Sequence, residues 1–249
     1  MKPAVLITGG ARRLGAAMAS AFGHAGWHVV IHYGTSRAQA VALAEQLPSA
    51  DVYGCDLGDW DSGAAMIDTL AARLPDWRVL INSAGVFRED TADALDPATF
   101  DEAMQVNAGT PARMTQAFLA KASARGGRRA IQVTDQKLAN PNPDFFSYTM
   151  SKHALDAIIR MLAMAQTDPL DRIYGLAPGA ILASHDQTEH EAEISHRLNL
   201  LHRRTDAEEL AQAALFLSQG WLSSGETLYI DSGQHLMSQP RDVLYLARQ

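Results

Sequence analysis

The feature that most constrains the fold is a short apolar run followed at once by a glycine-rich turn. Residues 4–7, Ala-Val-Leu-Ile, form a continuous apolar run, which is typical of a strand buried on both faces. Residues 8–15, Thr-Gly-Gly-Ala-Arg-Arg-Leu-Gly, follow directly, and a helix of small residues is predicted over residues 16–25. Residues 27–32 predict a second strand. A strand, a glycine-rich turn, a helix and a strand within about thirty residues predict a βαβ unit.

The same alternation continues along the chain. Further strands are predicted over residues 51–55, 78–82, 129–134, 172–176 and 228–231. Further helices are predicted over residues 36–46, 61–74, 100–124 and 147–166. This order predicts an α/β fold, a Rossmann-type doubly wound parallel sheet of about seven strands with helices on both faces. No repeat or linker interrupts the pattern, so residues 1–249 are predicted to form one domain.

Composition and charge exclude several classes of function. The chain has 249 residues, of which 47 % are hydrophobic and 20 % charged, as in a globular protein with a sizeable core. Its formal net charge of −7 argues against a nucleic-acid partner, because an acidic surface repels phosphate backbones. The single cysteine, Cys55, cannot form an internal disulfide, and no apolar run is long enough for a signal peptide or a membrane span. We therefore expect a cytoplasmic protein with no membrane partner.

Residues 182–204 interrupt the alternation. This segment contains His185, His190, His196 and His202 among acidic and basic residues, which raises the question of a metal site. The spacing of these histidines matches no standard zinc motif, so no metal is predicted. We interpret the segment as a mobile lid over a substrate, and a plain solvated helix is the alternative.

The glycine-rich turn has the composition of a phosphate-binding site. Glycines allow the backbone to approach phosphate oxygens closely, and the N-terminus of the following helix supplies free N–H groups and a positive dipole. Gly9 and Gly15 are placed for both functions, directly after the first strand. At the first strand–helix junction, such a turn predicts that the chain binds a dinucleotide.

The residues after the second predicted strand indicate which dinucleotide is bound. An NAD-specific site usually has an acidic residue here, which binds the ribose 2′-hydroxyl. This chain has His32, Tyr33, Ser36 and Arg37, with no carboxylate between the strand and Glu45. Histidine, serine and arginine side chains could hold a 2′-phosphate, which a carboxylate would repel. We therefore predict NADP(H) as the cofactor, and a polar helix start with a solvated arginine is the alternative.

Tyr148 and Lys152 are the sharpest chemical signal in the sequence. Four residues apart on a predicted helix, their side chains share one face. An ammonium group close to a phenol is expected to lower the pKa of that phenol from about 10, so that it can exchange a proton near neutral pH. The two residues are therefore predicted to be catalytic.

Several motifs together resemble the short-chain dehydrogenase/reductase family over nearly the whole chain. These motifs are Thr8-Gly9 with Gly15, Asn82-Ser83-Ala84-Gly85, Asn107, Tyr148 with Lys152, Pro178-Gly179 and Asp231-Ser232-Gly233. The resemblance implies that Asn107 is catalytic, as the anchor of a water in a proton relay. It also implies that Lys152 holds the nicotinamide ribose.

The resemblance implies further contacts with the dinucleotide. The stretch from Asn82 to Gly85 would support the adenine-ribose side of the sheet, Asp56 would contact adenine, and Pro178-Gly179 would abut the nicotinamide. The complete predicted cofactor-binding set is Gly9, Arg12, Arg13, Leu14, Gly15, His32, Tyr33, Ser36, Arg37, Asp56, Leu57, Asn82, Ala84, Gly85, Tyr148, Lys152, Pro178, Gly179 and Ile181.

Two departures from the family pattern bear on the substrate. The family commonly has glycine where this chain has Arg13, and a catalytic serine thirteen residues before its tyrosine, where this chain has Asp135. An ionised carboxylate can only accept hydrogen bonds, so Asp135 suits a substrate that presents N–H groups. A solvated loop position is the alternative for Asp135, and a contact with cofactor phosphate alone is the alternative for Arg13.

These departures resemble the pteridine reductase branch of the family. That branch combines an arginine in the first turn, an aspartate in place of the serine, and His-Tyr after the second strand. Phe87 matches the aromatic residue that stacks on the pterin ring in that branch, although it could also be a core residue. Residues 233–236, Gly-Gln-His-Leu, and the short segment after Pro178-Gly179 are most similar to bacterial dihydromonapterin reductases.

The leading hypothesis is an NADPH-dependent oxidoreductase that reduces a dihydropterin, dihydromonapterin or a related compound and by overlap dihydrofolate, to the tetrahydropterin. Arg13, Phe87, Asp135 and Tyr148 are the predicted substrate-binding residues. An NADPH-dependent carbonyl reductase is the second hypothesis, and a non-catalytic NADP-binding regulatory protein is the third. The resemblance also implies a homotetramer, for which the apolar tail in residues 238–249 would pack on a neighbouring subunit.

Overall fold

The centre of the protein is one sheet of seven parallel strands. The structure is a computed structural model that describes residues 2–184 and 186–249. The strands are β1 (Ala4–Ile7), β2 (His28–Tyr33), β3 (Ala50–Gly54), β4 (Trp77–Asn82), β5 (Arg129–Val133), β6 (Arg172–Pro178) and β7 (Thr227–Ile230). Their order across the sheet is β3-β2-β1-β4-β5-β6-β7, and each neighbouring pair is parallel. The predicted α/β sheet is confirmed, because this is the doubly wound arrangement.

Helices cover both faces of this sheet. They are α1 (Arg13–His24), α2 (Arg37–Gln46), α3 (Trp60–Arg73), α4 (Pro97–Met104), α5 (Thr110–Lys121), α6 (Phe146–Ala165), α7 (Glu189–Ser195), α8 (Ala207–Ser218) and α9 (Val243–Leu246). Helices α1 and α8 pack in the core on one face, and α3, α5 and α6 pack in the core on the other.

Strand β1 shows why the sheet forms two cores. Val5 and Ile7 belong to the core that contains α1 and α8, whereas Ala4 and Leu6 belong to the core on the opposite face. Successive side chains of a strand point to opposite faces, so a run of four apolar residues places two in each core. All four residues are buried. The continuous apolar run of the sequence is thus explained by burial on both faces.

The strand order places a crevice at the carboxyl ends of β1 and β4. From β1 the chain proceeds to β2 and β3 on one side, and then returns to β4 and proceeds to β7 on the other. Loops that leave neighbouring strands in opposite directions separate at this point, and ligands of doubly wound proteins bind there. The loop after β1 contains the glycine-rich turn, and the loop after β4 contains Ala84 and Gly85.

The single helix predicted over residues 100–124 is in fact interrupted. Helices α4 and α5 are joined by a π-helical turn over Gln105–Gly109, whose wider hydrogen-bonding pattern accommodates an extra residue. The turn contains Asn107, which is buried. Periodicity cannot reveal such a turn, because the chain stays helical on both sides of it.

The segment 182–204 also differs from its description as an exposed helix. Its helix α7 is short, and Thr188 and Glu191 form a capping box at its N-terminus. Ser195, His196 and Asn199 are buried, so the alternative of a plain solvated helix is wrong. His185 lies outside the described residues. The following helix α8 was not predicted, although Asp206 and Glu209 form a second capping box there.

The tail folds back on its own chain. Val243 and Leu244 of α9 are buried within the chain, and Tyr245 stacks on Phe145 with ring centroids 5.9 Å apart. Val243 and Leu244 are thus covered within the chain itself, and the packing of the tail 238–249 on a neighbouring subunit stays a prediction. The homotetramer implied by the resemblance stays a prediction. Within residues 2–184 and 186–249, the structure has no helix that is both long enough and apolar enough to cross a membrane.

Two phenylalanines that differ in burial allow the assignment of the core to be tested. Phe118 of α5 is fully buried, and its ring lies 4.9 Å from that of Trp77, whereas Phe216 of α8 is 39 % exposed. We expect Phe118→Ala to lower the free energy of unfolding by about 3–5 kcal/mol, because it leaves a cavity that the sheet cannot fill. Phe216→Ala is the matched control and should cost clearly less. Urea unfolding of both variants measures the difference, and equal losses would contradict the assignment of Phe118 to the core.

Candidate active site

The glycine-rich turn brings two backbone segments into contact. A Cβ atom at Gly15 would lie 2.2 Å from the carbonyl oxygen of Gly9, so no other residue fits there. Gly9 itself has a φ of +62° and lies against the backbone of Ala84 in the loop after β4. The Thr8 hydroxyl accepts hydrogen bonds from the backbone N–H groups of Ser83 and Ala84, at 2.9 and 3.0 Å. The turn is therefore fixed across the crevice.

Arg13 occupies a backbone position that favours glycine. Its φ is +53°, in the left-handed region where a residue with a Cβ atom is strained. This geometry explains why relatives commonly have glycine here. The guanidinium of Arg13 donates to the carbonyl oxygens of Ala183 and Leu182, at 2.9 and 3.3 Å. Arg13 thus links the glycine-rich turn directly to the segment 182–204.

His32 is placed beneath the turn and not in the crevice. The His32 side chain is 2 % exposed. Its Nδ1 atom accepts a hydrogen bond from the N–H of Gly9 at 3.2 Å, and its Nε2 atom lies 3.1 Å from the carbonyl oxygen of Cys55. Because Nδ1 accepts, the proton of the neutral ring is on Nε2 and is donated to Cys55. Burial lowers the pKa of His32 to about 4. The prediction that His32 holds a 2′-phosphate is therefore wrong, since the ring is enclosed and uncharged.

The first cavity lies in the crevice and has a volume of about 490 Å³. The predicted residues that line it are Gly9, Arg12, Arg13, Leu14, Gly15, Tyr33, Ser36, Ala84, Gly85, Phe87, Tyr148, Lys152 and Pro178. This cavity therefore joins the glycine-rich turn, the end of β2, the loop after β4 and the Tyr148–Lys152 pair.

Other predicted residues lie outside the lining of the first cavity. Arg37 is exposed at the start of α2, and the Asp56 carboxylate accepts from the N–H of Gly58 at 2.8 Å. Leu57 is buried and uses its carbonyl oxygen to accept from Thr110. Asn82 is buried and donates to Gln132 and Thr115, so its side chain joins β4 to β5 and α5.

Tyr148 and Lys152 meet Asp135 at the end of the first cavity. The Tyr148 hydroxyl donates to Oδ2 of Asp135 at 2.7 Å, and the backbone N–H of Lys137 donates to Oδ1 at 2.8 Å. The Lys152 ammonium donates to the carbonyl oxygen of Val133 at 2.7 Å and lies 5.7 Å from the centre of the Tyr148 ring. The helix spacing and the carboxyl end of β5 thus bring the three groups together.

The electrostatics of this group differ from the expectation for Tyr148. Burial, followed by the charge and the hydrogen bond of Asp135, raises the pKa of Tyr148 well above its usual value. The predicted lowering of this pKa by Lys152 is therefore not found, because the carboxylate is bonded to the phenol and the ammonium is not. Burial also raises the pKa of Asp135, against the opposing hydrogen bonds from Lys137 and Tyr148. Burial lowers the pKa of Lys152 to about 8.

Asn107 supports the reaction centre from the π-helical turn. Its side-chain oxygen accepts from the N–H of Val86 at 2.8 Å, and its nitrogen donates to the Val86 carbonyl at 3.0 Å and to the Ser151 hydroxyl at 2.9 Å. Asn107 therefore fixes the loop after β4 to the helix that holds Tyr148 and Lys152. Gly85 lies close enough that an added Cβ atom would be 3.1 Å from the Asn107 oxygen.

Phe87 belongs to a stack of aromatic rings. Its ring lies 4.0 Å from that of Phe145, nearly parallel, and 4.7 Å from that of Tyr148, nearly perpendicular. Phe145 has a φ of +52° and comes directly before α6. Tyr245 also stacks on Phe145. Phe87 is 39 % exposed, so it is not simply a core residue, and its ring has surface free for a ligand.

The second cavity, of about 200 Å³, continues from the reaction centre toward the segment 182–204 and the tail. The predicted residues in its lining are Arg13, Leu14, Phe87, Asp135, Tyr148, Pro178, Gly179 and Ile181. Its lining also includes residues that sequence reasoning missed, namely Lys137, His196, Gln234, Gln239 and Asp242. His196 and Gln234 lie in segments that stand out in the sequence, but no local pattern assigns these five residues to one cavity, because they come from segments far apart in the chain. Outside His185 and Met1, the structure contains no group of three or more metal-ligating His, Cys, Asp or Glu residues.

The low pKa of His32 predicts a pH dependence of stability. Its pKa is about 4 in the folded chain and 6.5 in the unfolded chain, so the unfolded state binds more protons between these values. The contribution of His32 to stability is full above pH 6.5 and is lost as the pH falls. We expect wild type to lose about 2 kcal/mol more than His32→Gln between pH 7 and pH 5, measured by urea unfolding.

The exposed His24 provides the control for this measurement. His24→Gln should keep the wild-type pH dependence. If His32→Gln also kept it, the buried neutral state of His32 would be contradicted.

The hydrogen bond between Tyr148 and Asp135 predicts a measurable shift in the titration of Tyr148. Replacing Asp135 with asparagine removes a negative charge beside the phenol, so the pKa of Tyr148 should fall relative to wild type. Tyrosinate absorbance measures this pKa when the titration of the same protein carrying Tyr148→Phe is subtracted. An unchanged pKa in Asp135→Asn would show that burial alone sets it.

Comparison with known proteins identifies the family of the chain. The sequence model of the enoyl-(acyl carrier protein) reductase family matches residues 9–235. The crystal structure of FolM alternative dihydrofolate reductase 1 from Brucella canis, complexed with NADP, is 30 % identical, superposes with a TM-score of 0.89 and covers 96 % of each chain. Pteridine reductase 1 of Leishmania tarentolae is 25 % identical, covering 94 % of this chain and 96 % of the relative.

Relatives that act on other substrates are similar to about the same degree. The 7alpha-hydroxysteroid dehydrogenase of Escherichia coli K12 is 27 % identical, covering 92 % of each chain. The family assignment therefore does not depend on one relative, and the substrate has to be argued from the site. The chain belongs to the short-chain dehydrogenase/reductase family of oxidoreductases, and its similarity to a pteridine reductase and to FolM places it with the pteridine reductase-like branch.

Proposed function

We propose that the protein is an NADPH-dependent reductase of a dihydropterin, with dihydromonapterin or a related compound as substrate. The observation that carries this proposal is the hydrogen bond between Asp135 and Tyr148, at 2.7 Å, beside the exposed ring of Phe87. A pterin is a flat aromatic ring system bordered by N–H groups. A carboxylate that accepts hydrogen bonds and an aromatic ring that can stack fit such a ring, whereas a ketone presents only an acceptor oxygen.

The residues of the first cavity fit NADP(H). Gly9 and Gly15 line this cavity, and their missing side chains let the turn pack closely beside the N-terminus of α1, where free N–H groups and the helix dipole favour the negative charge of a pyrophosphate. Ser36 lines the cavity at the start of α2, where a 2′-phosphate would meet a second helix N-terminus, and Arg37 is the neighbouring cation. Lys152 would hold the nicotinamide ribose.

The chemistry can be divided between the cofactor and the chain. When bound, NADPH supplies a hydride to the carbon of a ring C=N bond. The nitrogen of that bond must then receive a proton, and Tyr148 is the group that carries one. Because its pKa is raised, Tyr148 keeps its proton at neutral pH until a stronger base forms beside it. The Asp135 carboxylate accepts the hydrogen bond of the phenol and holds it in place, and the Lys152 ammonium beside the ring would return a proton to it.

Asp135 has a second role in this proposal, which is to orient the substrate. One of its oxygens accepts from Lys137 and the other from Tyr148. Carboxylate oxygens each have two lone pairs, so either can still accept from a ring N–H or an amino group. Phe145 stacks on Phe87 and would hold the Phe87 ring in place for contact with the pterin.

A carbonyl reductase is the second candidate, favoured by the similarity to a 7alpha-hydroxysteroid dehydrogenase and to an angucycline C-6 ketoreductase. It would use the same Tyr148, Lys152 and cofactor site. The two candidates differ at Asp135, because a ketone oxygen needs a donor and an ionised carboxylate supplies none. Asp135→Ser should therefore raise ketone reduction if the second candidate is correct, and should abolish pterin reduction if the first is correct.

The direct test is NADPH consumption with dihydromonapterin, dihydrobiopterin and dihydrofolate in parallel with a panel of simple ketones. We expect turnover of a dihydropterin, with kcat/KM reduced at least about 100-fold in Asp135→Ala and in Tyr148→Phe, because each removes a group that moves or orients the proton. Asp101→Ala, at an exposed position on α4, is the matched control and should retain wild-type turnover. Good ketone turnover without any dihydropterin turnover would overturn the proposal.

A further inference from the structure

The second cavity extends beyond the space that a pterin ring needs for reaction. It begins at Tyr148 and Asp135 and continues between the segment 182–204 and the tail. His196 lies in its lining on the side of the segment, and Asp242 lies in its lining on the side of the tail. A ring held at Asp135 would therefore direct any substituent on its far side into this space.

His196 is a buried side chain with an unpaired ring nitrogen. It is 2 % exposed, and its Nδ1 atom has no hydrogen-bond partner among the described residues. Leaving a buried ring nitrogen unpaired costs free energy, which a ligand hydroxyl would recover. Burial and the positive charge of Arg204 lower the pKa of His196, so the ring is neutral at pH 7. A neutral imidazole has one donor and one acceptor nitrogen, and it therefore suits a hydroxyl group, which both donates and accepts.

The charges in the lining of the second cavity are already engaged within the chain. Arg13 donates to two backbone carbonyls, and the Lys137 ammonium donates to the Asp144 carbonyl and pairs with Asp242 at 3.3 Å. The two cations, Arg13 and Lys137, are balanced by the carboxylates of Asp135 and Asp242. A carboxylate on the ligand would be repelled by these two acids and would find no cation without a partner. The cavity therefore favours an uncharged ligand group.

Two amides in the lining of the second cavity offer further hydrogen bonds. Gln234 uses its side-chain oxygen to accept from the N–H of Ala180 at 3.0 Å, and Gln239 uses its nitrogen to donate to the Leu198 carbonyl at 3.1 Å. The opposite ends of these two amides, one donor and one acceptor, have no further partner among the described residues. Together with His196 they offer both kinds of hydrogen bond.

We propose that the second cavity is a subsite for a short, uncharged, hydroxyl-bearing side chain of the substrate, and that His196 is a specificity-determining residue of this subsite. The inference rests on the proposed function, because it takes the ring at Asp135 to be a dihydropterin. The subsite would distinguish substrates by their side chains, which lie outside the reaction centre. It favours a pterin with a polyhydroxylated side chain over one with a methyl group or with an acidic tail such as that of dihydrofolate.

The test compares kcat/KM for dihydromonapterin, which has hydroxyl groups, with kcat/KM for 6-methyl-7,8-dihydropterin, which has none. In wild type we expect the ratio of the two values to favour the hydroxylated substrate by at least about 10-fold, the effect of one well-formed hydrogen bond. In His196→Leu, which keeps the size of the side chain but not its nitrogens, the ratio should fall toward 1. His196→Asn, which retains a polar group near the position of Nδ1, should keep part of the preference. His190→Ala, an exposed histidine of α7, is the control and should leave the ratio unchanged.

The outcomes separate the two proposals. If wild type reduces neither pterin, the proposed function fails and the subsite fails with it. If wild type reduces both pterins with a ratio near 1, or if His196→Leu folds and keeps the full preference, the subsite is wrong while the proposed function stands. Because the wild-type ratio is informative by itself, a His196 variant that does not fold leaves the proposal testable. A wild-type preference for dihydrofolate over both pterins would also overturn the subsite.

Discussion

The site depends on the close contact between two loops at the point where the strand order reverses. Gly9 lies against the backbone of Ala84, and Gly15 lies against the carbonyl of Gly9, so neither glycine has room for a side chain. Thr8 and the buried neutral His32 hold the turn from the two sides. Because this contact fixes the N-terminus of α1 relative to the loop after β4, it also fixes where a dinucleotide can lie relative to Tyr148 and Lys152.

Most of the fold could be predicted because buried parallel strands have a direct signature in the sequence. Continuous apolar runs such as Ala4–Ile7 can be satisfied only between two layers of helices, and the strands found differ from those predicted by a residue or two at their ends. The π-helical turn at Asn107 and the burial of the segment around His196 could not be predicted in this way. Both depend on contacts between distant segments, which local periodicity does not record.

The candidate site also combines features that a local motif predicts with features that only the tertiary structure reveals. Residues that belong to a local motif, such as the glycine-rich turn and the pair Tyr148 and Lys152, could be identified from their spacing, and the structure brings them to one cavity. The direction of the pKa shift of Tyr148 could not be predicted, because it depends first on the burial of the phenol and then on its contact with Asp135, and both are set by the tertiary structure. His32 was misassigned for a related reason. Its position near the end of β2 suggested a phosphate contact, but its side chain lies beneath the turn, bonded to Gly9 and Cys55.

Arg13 connects the backbone conformation of the glycine-rich turn with the position of the segment 182–204. Its backbone is held in a conformation that costs a residue with a side chain about 1–3 kcal/mol, and its guanidinium fastens the segment 182–204 to the glycine-rich turn. A glycine at this position would relax the backbone and release the segment in a single step. Replacement of Arg13 by glycine would therefore change the backbone strain of the turn and its link to Leu182 and Ala183 together.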